Sequence, residues 1–226
     1  MNEQKISANG DLQKPAWYYD THDHDIINLL STGPESAILE LGCGTGATGQ
    51  KALATRKAGR YVGIEIDQTA ADIARGFLSD VNVGNVETID LSHLHGSFDV
   101  LIASEVLEHL VNPWNALRRL RMCLKPGGMV FASSPNIAHW QIIRALLKGQ
   151  FRYVEYGVMD ATHLRWFTPE SYRDLFTDSG FVVQALFPVR KMGWKAELAD
   201  RITGGRLTHI FMKQIVVVAQ LPPAAS

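Results

Sequence analysis

A chain of 226 residues and 25.0 kDa has room for one sizeable core but hardly for two. Its content of 46% hydrophobic, 20% charged and 9% aromatic residues excludes a disordered, collagen-like or low-complexity chain. Lys and Arg total 22 against 23 Asp and Glu, so the formal charge of −1 gives no overall pull toward a polyanion, and nucleic acid is disfavoured as a partner.

Segments with strand and helix character alternate, the pattern of a parallel sheet with crossover helices. The first strand spans residues 36–41 and runs into a glycine-rich turn, Gly42-Cys-Gly-Thr-Gly46, followed by a helix over 47–57. A second strand over 60–66 precedes an Ala-rich helix over 68–79, and a short third strand falls near 85–89. The fourth strand, 98–103, leads to a helical region from Glu105 that Pro113 interrupts and residues 118–124 continue. Lys125-Pro-Gly-Gly128 is a turn before a fifth strand over 129–133.

Beyond Ser134-Pro-Asn136 the pattern is less regular: an amphipathic helix over 137–147, an aromatic-rich stretch over 150–167, then a helix over 169–179 with Thr168 as its N-cap. Late strands are expected at 181–189 and 210–220, with a helix over 195–203 between them. No long linker, repeat or charge block divides the chain, so one domain over 1–226 is expected. The two cysteines, Cys43 and Cys123, make neither a disulfide framework nor a zinc ribbon, and no apolar run suits a signal core or a bilayer span. The expectation is a soluble, cytoplasmic protein; the sequence carries no signal for oligomeric state.

Glycines at 42, 44 and 46 between a strand and a helix allow tight curvature and close approach of a cofactor to the sheet edge. Gly44-Thr-Gly-Ala-Thr-Gly49 also satisfies the G-x-G-x-x-G fingerprint literally, which keeps an NAD(P)-dependent oxidoreductase open. Charge leans the other way. A pyrophosphate wants N–H donors, whereas Glu40, Glu65 and Asp90 place acids at three strand ends, where they suit an ammonium, a ribose diol and an adenine amino group.

The stretches ILELGCGTGATG (38–49), YVGIEID (61–67), FDVLIASEVLEHL (98–110) and LKPGGMV (124–130) resemble, in order, the motifs of the class I S-adenosylmethionine-dependent methyltransferases. The resemblance implies an α/β, Rossmann-like sheet of seven mostly parallel strands with an antiparallel last strand. It also implies Gly42, Gly44 and Gly46 around the methionine moiety, Glu65 on the ribose hydroxyls, Asp90 near the adenine and Glu40 near the amino-acid end. Residues 1–35, with Trp17, Tyr18 and Tyr19, would cover the cofactor, residues 36–135 would bind it, and 169–220 would complete the sheet. The polar run Asp20–Asp25 reads as capping or cofactor cover.

Glu105, Glu108 and His109 stand at i, i+3 and i+4, one face of the expected helix beside the cofactor edge. Oxygen and imidazole donors without sulfur suit Mg²⁺, Mn²⁺, Fe²⁺ or Zn²⁺. E-x-x-E-H is similar to the motif of two metal-dependent branches, the ubiquinone-pathway O-methyltransferases and the small-RNA 2′-O-methyltransferases, in which a later histidine completes the site; His163 is the candidate here. Metal-free relatives also carry V-L-E-H-L, so a structural or metal-free role is the favoured reading and metal ligation the alternative. His109 and His163 are then the candidates for proton removal from a hydroxyl.

Residues 134–168 resemble a segment of a bacterial subgroup associated with surface-glycan or quinone-type acceptors, and 136–168 are the expected lid. Trp140, Phe151, Tyr153, Tyr156, Trp166 and Phe167 supply aromatic area for a pocket, and Arg165 suits an anionic acceptor or Asp160. The expected activity is methyl transfer from S-adenosylmethionine to a small-molecule acceptor, at a sugar, quinol or phenol hydroxyl. A cofactor-binding regulator without chemistry is the remaining rival.

Overall fold

In the computed structural model, residues 24–189 and 193–223 are described. The aromatic segment Trp17–Tyr19 expected over the cofactor lies outside them, as do Asp20–Asp23 of the polar run.

Seven strands, β1 Ala37–Leu41, β2 Arg60–Glu65, β3 Asp80–Val83, β4 Phe98–Ser104, β5 Leu124–Pro135, β6 Val182–Pro188 and β7 Gln214–Gln220, form one sheet of order β3-β2-β1-β4-β5-β7-β6. β1 to β5 pair in parallel, and β7 runs antiparallel between β5 and β6. The central strand AILEL is buried along its whole length, as expected of a parallel strand covered on both faces.

Alternation divides its side chains. Leu39, Leu41, Leu101, Val130 and Val217 point into a core with α4 Pro113–Arg121 and α6 Pro169–Asp178, whereas Ile38, Tyr61, Val100 and Ile102 face α1 His24–Leu29, α2 Ala47–Ala54 and α3 Gln68–Ala74. Burial of each large aliphatic chain contributes about 1.5–3 kcal/mol. α5 Trp140–Leu147, α7 Trp194–Ile202 and α8 Thr208–Phe211 complete the helices.

Local chemistry explains the clearest boundaries. Pro113 opens α4 at a position needing no N–H, with the Asn112 side chain accepting from Asn115 N, and Thr168 and Ser171 form a reciprocal capping box on α6.

Four expectations are corrected. β3 lies at 80–83, while 85–89 is a turn in which Thr88 and Ile89 donate to the Asn85 carbonyl. Residues 210–213 are not strand: α8 ends at Phe211 and β7 starts at Gln214. Lys125–Gly128 is the irregular start of β5, where the β4 register shifts. Finally, no α-helix starts at Glu105, which has φ 52°; only a single 3₁₀ turn forms, Leu107–His109. Glu105 N–H donates instead to the Ser133 carbonyl on β5, and that pairing overrides the helical character of VLEHL.

Candidate functional site

The glycine turn leaves β1 at its carboxyl end, and Gly42, Gly44 and Gly46 all adopt positive φ. At Gly42 a Cβ would come 2.4 Å from Val106 Cγ2, so the turn and the β4 loop meet backbone to side chain. Gly46 is the N-cap of α2.

Glu65, at the end of β2, is buried and accepts three backbone N–H groups: Gly44 at 2.8 Å, Ile66 at 2.8 Å and Asp67 at 2.9 Å. Its carboxylate thus locks the glycine turn to the β2–α3 loop, where Asp67 caps α3 by accepting from Ala70 N. Glu40 is buried on β1 and acts on Tyr61, whose phenol is pushed well up by burial and then by the Glu40 charge. Burial, reinforced by Glu40 and Glu65, also pushes the Cys43 thiol up, which removes it as a thiolate nucleophile.

Asp90 sits apart from these acids. It does not directly follow β3, and its exposed carboxylate accepts from Ser92 N at 2.9 Å and Ser92 Oγ at 3.0 Å; those bonds hold its pKa below the ordinary value.

The region following β4 is built from two irregular segments. Leu164 and Arg165 N–H groups both donate to the Glu108 carbonyl at 2.9 Å, drawing the loop over 160–165 against the 3₁₀ turn. This brings ligand atoms of Glu108, His109 and His163 within 4.8 Å of one another. Glu105 is outside that group; its carboxylate accepts from Ser133 Oγ at 2.9 Å. The helical face expected to hold both glutamates does not form, because the left-handed residue at 105 turns the chain between them.

Glu108 is 1% exposed, and neither carboxylate oxygen has a hydrogen bond among the described residues. Burial pushes its pKa well up, and the Glu105 charge adds to this; its own N–H and the Ser134 hydroxyl, close by but outside hydrogen-bonding geometry, offset only part. The two imidazole rings stand edge to face with centroids 4.7 Å apart. His109 Nδ1 lies 3.3 Å from the Thr162 carbonyl, and His163 Nδ1 lies 3.2 Å from the Val158 carbonyl. A carbonyl can only accept, so these contacts put the proton on Nδ1 and the lone pair on Nε2 in each neutral ring. Thr162 is itself held by Asp160, which accepts from its N–H at 2.8 Å and its hydroxyl at 2.7 Å.

Other expectations for this region shift. Arg165 donates to the Val111 carbonyl rather than pairing with Asp160. Phe167 is core, packed on Tyr172 at 5.1 Å, whereas Phe151, Tyr153 and Trp166 form a ring cluster at the surface. Sequence reading passed over Glu87, which accepts from Val111 N at 3.2 Å and Asn112 N at 2.8 Å and so anchors the loop after Glu108. It also passed over Thr162, which lies within the 134–168 resemblance, and Ser133, and nothing local marks the role of any of the three.

The sheet order separates the two cofactor readings. A dinucleotide fold of order 3-2-1-4-5-6 is wholly parallel, whereas an antiparallel β7 inserted between β5 and β6 defines the class I S-adenosylmethionine-dependent methyltransferase fold. Residues 17–186 match the family model described as methyltransferase domain, and the chain belongs to that family. It is similar to an uncharacterised 37.1 kDa protein in transposon TN4556 of Streptomyces fradiae, 28% identical over 185 residues, 79% of this chain and 53% of that protein. A ubiquinone biosynthesis O-methyltransferase of Albidiferax ferrireducens is 27% identical over 131 residues, 55% of this chain and 51% of that protein. The chain therefore spans about half the length of these curated relatives. In fold it matches a SAM-dependent methyltransferase of Methanosarcina mazei at TM-score 0.63 and 18% identity, covering 90% of this chain and 100% of that one.

Proposed function

We propose that the protein transfers a methyl group from S-adenosylmethionine to a hydroxyl oxygen of a small molecule, and that Glu108, His109 and His163 hold a divalent cation beside the acceptor. Family membership and the acid-lined glycine turn support the cofactor. One observation carries the metal: a buried carboxylate with both oxygens unsatisfied lies within 4.8 Å of two imidazoles. An unpaired buried charge is costly, and a divalent cation offsets it. The similarity to ubiquinone biosynthesis O-methyltransferases supports oxygen as the attacking atom.

The donor set of one carboxylate oxygen and two Nε2 atoms suits Mn²⁺, Fe²⁺ or Zn²⁺ better than Mg²⁺, which prefers oxygen. A cation there supplies Lewis acidity that lowers the pKa of a bound hydroxyl. The chain's own residues do the remainder. Gly42, Gly44 and Gly46 leave space for the nucleoside amino acid at the strand ends, Glu65 is the acid proposed for the ribose diol, and Asp90 is the acid proposed for the adenine amino group. Glu108 contributes negative charge, while the carbonyls of Thr162 and Val158 fix the tautomers of His109 and His163. Displacement at the methyl carbon is in line and gives S-adenosylhomocysteine, so alignment and exclusion of water set the rate.

The test is calorimetric titration with S-adenosylmethionine together with turnover on catechol, hydroquinone and sugar panels, before and after chelation and with Mn²⁺ restored. The expected result is cofactor binding indifferent to chelation and turnover that requires the metal. Full turnover in chelated enzyme overturns the metal; absence of cofactor binding overturns the whole reading.

A further inference from the structure

α5 is built from WQIIRALL, six apolar residues of eight, yet none of its residues is buried. Leu147 is 84% exposed. α7 repeats the pattern: Trp194, Leu198 and Ile202 stand at i, i+4 and i+8, one stripe of the helix, and Trp194 and Ile202 are 70% and 76% exposed. Residues 137–167 and 193–213 are less than a quarter of the chain, but they hold twelve of the nineteen strongly exposed large hydrophobic side chains among the described residues. Scattered exposed leucines need no explanation; concentration of this degree does.

Both segments leave the sheet at one edge. α5 follows the end of β5, and α7 and α8 lie between the end of β6 and the start of β7. Their roots are stitched by the Asn136 side-chain amide, which donates to the carbonyls of His209 at 2.6 Å and Met212 at 2.7 Å. It is the edge that carries His163 and the glycine turn.

Charge follows the same division. The two segments contain eight Lys and Arg against four Asp and Glu, a formal +4 in a chain whose total is −1, which leaves −5 for the rest. The near-neutral total hides a polar molecule with a basic, greasy edge.

We propose that this edge docks on the surface of an anionic lipid bilayer, with α5 and α7 laying Trp140, Leu147, Trp194, Leu198 and Ile202 into the interface and Arg144, Lys148, Arg152, Arg201 and Arg206 among the headgroups. Aliphatic chains at the most exposed positions suit acyl chains rather than nucleic-acid bases, and exposed tryptophans suit the headgroup boundary. Self-association through the same patch would set one basic face against another. No described helix is long and apolar enough to cross a membrane, so the contact is peripheral.

The experiment is flotation of the whole chain with vesicles of phosphatidylcholine alone and of phosphatidylcholine mixed with phosphatidylglycerol, at low and high salt. Tryptophan emission is followed in parallel, and light scattering and RNA gel shifts serve as controls. Binding to the anionic vesicles is expected, with a blue shift and loss at high salt. The double variant Leu147→Asp/Ile202→Asp should weaken partitioning about tenfold or more, and Arg144→Glu/Arg206→Glu should remove the preference for anionic lipid. Absence of binding to either vesicle overturns the proposal. Concentration-dependent dimers, or RNA binding, abolished by the same variants without vesicle binding would overturn it in favour of those partners. S-adenosylmethionine affinity without lipid reports the methyltransferase reading separately, because neither variant touches the glycine turn.

Discussion

Glu65 and Glu108 are both buried at the carboxyl edge of the sheet, 5% and 1% exposed, and their surroundings are opposite. Glu65 receives three backbone N–H groups from two adjacent loops, whereas Glu108 receives none at either oxygen among the described residues. The first is a carboxylate whose burial is compensated by the fold. The second has no such compensation among the described residues, which is why a cation is the occupant proposed. The proposed cofactor side is assembled from short β-loop-α units, the proposed acceptor side from contacts between residues 104–112 and 133–165.

Glu108→Gln breaks the contrast most sharply. Turnover should fall at least about a hundredfold with S-adenosylmethionine affinity nearly unchanged. In chelator the variant should be more stable than the wild type by about 1–2 kcal/mol in urea unfolding at neutral pH, since it removes a carboxyl that must take up a proton to be buried. The pH dependence has a definite sign. The unfolded chain releases the Glu108 proton in the ordinary carboxylate range while the folded chain holds it to higher pH, so wild-type stability falls as pH rises above that range. The variant should lack this loss, and Mn²⁺ should raise the Tm of the wild type alone.

Gly42→Ala tests the cofactor side. Positive φ and the 2.4 Å approach to Val106 Cγ2 together predict a loss of about 2–4 kcal/mol, partly restored by Val106→Ala. Glu65→Ala should cost about 2–3 kcal/mol, because three N–H groups lose their acceptor, and should weaken cofactor binding. An unchanged urea midpoint would remove the compensated half of the contrast.

The smallest effect is at the opposite edge of the sheet, where Asp99 accepts from Ala37 N at 2.8 Å and pairs with Lys125 at 2.7 Å. Burial opposes its charge, but the N–H and the ammonium outweigh it and hold the carboxyl below the usual range. This contribution is present above the ordinary carboxylate pKa and lost as pH falls through the lowered one. With both partners partly exposed, Asp99→Asn should cost no more than about 1 kcal/mol by urea unfolding at neutral pH.

The legible parts of the molecule are those whose determinants are neighbours in sequence. The glycine turn, the apolar strands and the Thr168 cap are each specified within a few residues, so their places could be read directly, whereas Pro113 opens α4 instead of interrupting a helix begun at Glu105. Glu105–His109 misled because VLEHL is helical by local preference. Its conformation is set by Ser133, and its neighbours are drawn in by the N–H groups of Leu164 and Arg165, none of them near in sequence. Glu87 was invisible for the same reason: its partners Val111 and Asn112 are far along the chain.

By itself, then, the sequence determined the α/β alternation, the acid-lined glycine turn and the pool of glutamates and histidines, because periodicity and turn chemistry act over short range. Tertiary structure decided which of those side chains meet. It separated Glu105 from Glu108, set His109 beside His163, and left an apolar, basic edge exposed among the described residues, since only chain closure over tens of residues fixes where a charge is buried and what it lacks there.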